Sequence, residues 1–281
     1  MAAVHNVPWQ PTIIRHHIDS LPTGAGTILV RTDTGDGYLK AMGNPAGEHA
    51  LACELVGTQL ASWFGLPVFD FAIIQVTEAD ELPFARGGFA KPGPAFITRA
   101  ESGEPWGGNV RELKRLTNPE DITRLVVFDT WTLNCDRHAP NNSRKPNRNN
   151  VFLSEEAPKG EFLLRAMDHT HCFSFGSALA KKIANIDRIH DPDIYGLFPE
   201  FRDFLDKAIA QRCVGKLRQI NRHTLTEITQ SIPSEWDVNS NAKEALVSLL
   251  QGRASYVAEC IIDRLWPQKE LQFMSGLEDE S

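Results

Sequence analysis

Hydrophobic positions alternate early in the chain and fall at helical spacing towards its end. From Gly26 two β-prone runs, TILVRT and GYLKAM, flank DTGDG, whose Asp-Gly pair suits a hairpin turn. The period of two puts Tyr38, Lys40 and Met42 on one face of the second run. HALACELVGTQLASWFGLPV predicts a helix with Leu51, Leu55, Leu60 and Trp63 or Phe64 on its apolar face, stopped by Gly65 and Pro67. FDFAIIQV and PAFITR read as further strands, so the first part of the chain is a sheet with one helix, ending near Arg99. Residues 1–23 are mixed and punctuated by proline and predict no element, and ESGEPWGGN reads as a linker or cleft-lining loop.

The second part opens on TNPEDITRLVVFDTWTLN. Asn118 suits an N-cap and Pro119 the first helical position, while Glu120 and Asp121 favour the positive end of the helix dipole. Ile122, Leu125, Val126 and Leu133 form the buried stripe of this helix, and Asp129 falls on it, which predicts a salt-bridge or capping partner. Further on, Val151–Leu153 and Phe162–Met167 are short, β-prone and separated by SEEAPKGE, the pattern of two antiparallel strands. The remainder reads as helices: PEFRDFLDKAIAQRCV, GKLRQINRHTLTEITQS, and the pair ALVSLL and RASYVAECIIDRLW.

That hairpin has a chemical consequence. The start of one strand and the end of the next lie together, so Asn149 and Asn150 are expected beside Asp168, and the loop carrying Asp136 runs into the same end. A proton acceptor, an amide oxygen and a second carboxylate would then converge where a divalent metal and a phosphate can be held. Phosphoryl transfer requires such a set, because its catalysis is mostly positioning and charge neutralisation. In the first part, Glu54 lies in a row of small residues, Ala50, Gly57 and Ala61, that permits close packing. A glutamate there needs a cation, and Lys40 is the nearest upstream candidate; a lysine in mid-strand otherwise reads as a surface residue with a snorkelling stem.

Composition narrows the class. With 281 residues the chain is long enough for a large domain or two lobes, and a net charge of −7 argues against broad nucleic-acid binding. Arg144, Lys145 and Arg148 form the one basic cluster of the central stretch and read as a solvated loop. Five scattered cysteines without CxxC spacing indicate neither a disulfide framework nor a zinc ribbon and fit a reducing cytoplasm. The N-terminus lacks a signal-peptide pattern and no apolar run approaches membrane-spanning length, so a cytoplasmic protein without a membrane partner is expected.

The segments YLKAMGNPAGEHALACELVGTQLASWFGLPV, FDTWTLNCDRHAPN, NNVFL and MDHTHCFSFG resemble the HipA-like kinases, in particular the shorter HipA-related group. The Asp-Arg-His of the catalytic loop is similar to that of phosphatidylinositol kinases. The resemblance implies an α+β, two-lobed, protein-kinase-like fold, with a β-rich nucleotide-binding lobe over residues 1–99 and a mainly helical catalytic lobe with a β-hairpin over residues 100–281. It also implies ATP and Mg²⁺ in the cleft and a hydroxyl-bearing substrate, in the first place Ser or Thr of a protein. Asp136 would accept or orient the proton of the attacking hydroxyl, Asp168 would bind Mg²⁺, Lys40 would contact the α- and β-phosphates, and Glu54 would hold Lys40. For the second metal ligand, counting favours Asn141, five residues after Asp136 as in HRDxxxxN, whereas Asn150 leads directly into a strand. An inserted loop over residues 139–148 reconciles the two and favours Asn150.

Two rival readings accompany this one. No GxGxxG is present, and TGAGT or DTGDG must serve as the backbone-amide cradle, which leaves room for a nucleotide-binding pseudokinase acting as a regulatory module. His138, His169 and His171 with Asp136 and Asp168 could instead form a metal-hydrolase site, although the two-residue spacing of DHTH is unlike the helical His-x-x-x-His pattern. Structural roles suit these histidines better.

Overall fold

The computed structural model describes residues 9–140 and 145–267, and Asn141 lies outside them. Its first half is a five-stranded sheet in the order β1-β2-β3-β5-β4, all neighbours antiparallel, formed by β1 (Ile14–Ser20), β2 (Ile28–Thr32), β3 (Gly35–Lys40), β4 (Phe71–Val76) and β5 (Gly93–Arg99). The expected strands are all present. The unforeseen one is β1, whose IRHHIDS exposes His16 and offers no clean alternation to read.

Strand pairing places the chemistry. Residues directly opposite in an antiparallel pair share a face. Lys40 lies opposite Phe96, and Tyr38 opposite Thr98, so all four project to the side covered by helix α1 (Glu48–Phe64). The alternate residues Leu39, Ala95 and Ile97 enter a separate small core on the other face, closed by Leu82 and Phe84. Helix α1 ends where expected, with Gly65 in the left-handed region at φ 91°.

Beyond Arg99 a three-stranded sheet carries the expected hairpin, in the order β6-β7-β8. β7 (Val151–Ser154) and β8 (Leu163–Ala166) pair antiparallel with Val151 opposite Ala166, as the turn-separated apolar runs predict. The stretch read as a linker adds β6 (Gly103–Pro105) to the outer edge of β7. After the short α2 (Val110–Leu113), α3 (Glu120–Thr132) runs beneath the hairpin. Asn118 does not cap α3 as expected; its side chain instead braces β8, accepting from Leu164 N at 2.9 Å and donating to Leu164 O at 3.1 Å.

The rest is helical. The short α4 (Ile186–Ile189) precedes α5 (Lys207–Leu217), α6 (Arg222–Gln230) and α7 (Ser240–Leu265), the last three capped by the side chains of Asp206, Asn221 and Asn239. The two apolar runs read as a pair are one 26-residue helix, α7, which is long and apolar enough to cross a bilayer, contrary to the sequence expectation. Leu246, Leu250, Ala254, Val257 and Ile261 are buried in the main core with residues of α3 and α5, so α7 is the central helix of this half. This α+β arrangement of a β-sheet half followed by a helical half is the predicted fold class.

Candidate functional site

Two ion pairs tie the halves of the site together. Lys40 Nζ lies 2.9 Å from Glu54 Oε2 and 3.1 Å from Asp168 Oδ1. Glu54 Oε2 also accepts the backbone N–H of His169 at 2.9 Å, so one carboxylate joins β3, α1 and the segment after β8. Burial opposes the charge of Lys40, but the carboxylates of Asp168 and Glu54 outweigh it and hold the ammonium above its ordinary range. Burial likewise opposes charge on Asp168, yet the nearby ammonium and the Thr170 hydroxyl, 2.8 Å from Oδ1, keep it ionised well below the usual range. Glu54 is raised by burial, against the pull of Lys40.

Asp168 has φ 57°, a left-handed conformation that is strained for a non-glycine residue, and it turns the chain out of β8 into the cleft. The close fit of α1 against this turn depends on Gly57, where a Cβ would collide with the Cβ of His169. Gly57→Ala is therefore expected to push α1 off the turn and cost about 1–3 kcal/mol by overpacking. Thermal unfolding checks the stability.

The loop after α3 supplies the second group. Asp136 Oδ2 accepts from Asn150 Nδ2 at 2.8 Å and from Asn147 Nδ2 at 3.1 Å, and Asn147 Nδ2 also reaches Asn150 Oδ1 at 3.1 Å. Asp136 and Asn150, fourteen residues apart, are thus brought together. Asn147 was missed, because residues 139–148 read as an insertion outside the site; in the structure its side chain is part of it. The only signal was its place beside Arg148–Asn150, the single 3-10 turn that leads into β7.

A second residue missed by the sequence is Arg137, which is fully buried. Its guanidinium pairs with Asp129, donates to Asn150 O at 3.1 Å and to Met167 O at 2.7 Å, and so fastens the loop after α3 to both strands of the hairpin. Asp129 thereby finds the partner its place on the apolar stripe demanded, with Asn134 as a second donor at 3.2 Å. Arg137→Lys keeps the charge but cannot span these acceptors. The expected cost is about 1–3 kcal/mol for carbonyls left without donors, measurable by chemical denaturation.

Two of the three histidines pack against aromatic rings. His169 is buried, its ring edge-on to Phe128 at 5.6 Å, and His138 packs edge-on against Phe198 at 5.3 Å. Only His171 approaches the site, with Nδ1 3.9 Å from Asp136 Oδ2. Among the described residues no three His, Cys, Asp or Glu side chains are grouped to hold a metal ion. The Arg148 of the basic cluster pairs with Glu200 at 2.6 Å, and Arg144 lies outside the described residues. None of the five cysteines is in a disulfide; burial pushes the thiols of Cys53 and Cys213 up to about 12.

Lys40, Glu54, Asn150 and Asp168 line one cavity of about 430 Å³. The rest of its lining is largely apolar, with Tyr38, Phe69, Phe96, Phe152 and Met167, a lining suited to a flat heteroaromatic ring beside charge. Of the two glycine-containing turns, TGAGT joins β1 to β2 at the cleft: Thr23 and Thr27 line this cavity, and Gly24 and Ala25 line a neighbouring one of about 480 Å³ that also meets Thr170 and His171. DTGDG, at the other end of β2, contributes to neither.

The family profile of the HipA-like kinases matches residues 27–269. The fold is similar to that of the Helicobacter pylori proinflammatory kinase CtkA, with a TM-score of 0.55 at 13% sequence identity, covering 91% of this chain and 98% of that one. No curated protein sequence matches the chain.

Proposed function

From the premise that the chain belongs to the HipA-like kinase family, we propose that it transfers the γ-phosphoryl group of ATP, with Mg²⁺, to a Ser or Thr hydroxyl of a protein. The observation that carries this reading is the convergence of Lys40, Glu54, Asn150 and Asp168 on one half-apolar cavity. Division of the chain at residues 99 and 100 into a nucleotide-binding lobe and a catalytic lobe belongs to the same proposal.

The aromatic side chains of the cavity take the adenine, and Lys40 meets the phosphates while Glu54 keeps it oriented. The residues fit a magnesium ion: Lys40 and Thr170 both engage Asp168 Oδ1, which leaves Oδ2 for a ligand, and Asn150 adds an amide oxygen on the same cavity. One ionised carboxylate and one amide suit a cation that takes few protein ligands and completes its shell with phosphates and water. When bound, Mg²⁺ supplies charge neutralisation of the phosphates. Asp136 is held at Oδ2 by Asn147 and Asn150, and its Oδ1 is left to orient the acceptor hydroxyl and take its proton.

Incubation with γ-labelled ATP and Mg²⁺, alone and with cell extract, tests the reading; transfer to Ser or Thr is expected. Nucleotide-dependent thermal stabilisation without any transfer would overturn it in favour of a nucleotide-sensing module.

A further inference from the structure

In kinases the lysine–glutamate pair is made or broken by movement of the helix that carries the glutamate. Here that helix is fastened along its length. The connection between α6 and α7, residues 231–237, leaves the helical half of the molecule and packs against α1 and β5. Trp236 is fully buried at its centre and donates its indole N–H to Pro94 O of β5 at 2.9 Å. At one end, Ser231 and the Gln59 side-chain amide of α1 pair at 3.1 and 3.2 Å. At the other, His49, in the first turn of α1, places Nε2 3.2 Å from Asp237 O.

His49 makes a second tie. Its Nδ1 accepts the backbone N–H of Leu179 at 2.8 Å, in the segment that follows Asp168. With Nδ1 as the acceptor, Nε2 is the nitrogen that donates to Asp237 O. One imidazole therefore joins α1, the segment after the metal-binding aspartate and the α6–α7 connection. Gln59 and His49 are ten residues apart, about 15 Å along the axis, and Glu54 lies midway between them.

We infer that residues 231–237 are a strut that locks α1 in place, so that the Lys40–Glu54 pair is assembled without an activating partner, and that His49 is a positioning residue for that pair. The inference rests on the kinase reading for its catalytic consequence but not for its structural one. Swinging Glu54 away from Lys40 would tear His49 from two backbone partners, separate Gln59 from Ser231 and uncover Trp236.

Amide hydrogen exchange along α1 and steady-state kinetics in ATP decide it, with His49→Ala, His49→Asn, His49→Gln and Trp236→Phe. His49→Ala is expected to speed exchange at Ala52–Gly57 by about five- to tenfold, the equivalent of one lost net hydrogen bond, and to raise KM for ATP with a smaller change in kcat. Asn keeps the acceptor for Leu179 N and Gln the donor for Asp237 O, so each is expected to restore part of the protection. Trp236→Phe removes the indole N–H and part of the ring volume while keeping an aromatic in place, and gives an intermediate effect in a folded protein. Unchanged α1 exchange in both His49→Ala and Trp236→Phe overturns the strut. Faster exchange with unchanged KM overturns the positioning role. If the wild-type protein transfers no phosphate, the kinase reading fails by itself, and calorimetric ATP affinity then replaces KM as the readout.

Discussion

Asp136→Asn is expected to lower the rate of phosphoryl transfer by about 10² to 10⁴, the range for loss of a positioned general base. The amide is isosteric with the carboxylate, and its oxygen can still accept from Asn147 and Asn150, the two donors that hold Oδ2 at 3.1 and 2.8 Å. The catalytic loop has independent support, because Arg137 fastens it to Asn150 O and Met167 O. The variant should therefore fold and bind ATP as the parent does, with the defect confined to kcat. Single-turnover transfer of labelled phosphate, paired with calorimetric ATP binding, checks both halves. Unchanged transfer removes Asp136 from the mechanism; a matching loss of ATP affinity makes it a nucleotide-binding group instead of a base.

What the sequence disclosed about this site depended on the range of the contact. Asn150 and Asp168 could be placed together because a hairpin brings its two ends to one point whatever surrounds it. Lys40 could be assigned a face by the period of two, and Glu54 a need for a partner by the small residues around it. Asp129 was recognisable as a buried charge in the same way, but its partner was not: Arg137 lies in a loop without periodicity, where nothing distinguishes a buried arginine from a solvated one. Asn147 was concealed for the opposite reason, because spacing against a known motif marked its neighbourhood as inserted.

The fold was legible to the same extent. Strands with clean alternation were readable, while β1 was not, since both faces of IRHHIDS carry polar residues and its pairing with β2 is interrupted by bulges. The unity of α7 was hidden by its mixed middle, where the fully buried Arg253 interrupts the apolar pattern; its charge is spread over carbonyls at the ends of α3 and α4, including Trp131 O at 3.2 Å and Arg188 O at 3.0 Å. The tie between α1 and residues 231–237 joins segments 172 and 188 residues apart, and no local pattern in either segment announces the other.

Lys40→Ala is expected to destabilise the protein by about 3–5 kcal/mol and to abolish tight ATP binding, because it removes the one cation between two carboxylates. Glu54 has only 4% of its side chain exposed and would keep a single donor, the His169 N–H. Its carboxyl, already raised by burial, then rises further, and the sign of the pH dependence follows. A group whose folded-state pKa lies above its unfolded value contributes stability at low pH that is lost as pH rises through the folded value. The deficit of the variant relative to the parent should accordingly be smaller at about pH 5 than at about pH 8, measured by urea denaturation. Adding Glu54→Gln to Lys40→Ala removes the stranded charge and should recover much of the stability without restoring ATP binding. A deficit independent of pH would mean that Glu54 stays neutral beside Lys40, and ATP affinity untouched by Lys40→Ala would mean that the phosphates are held elsewhere.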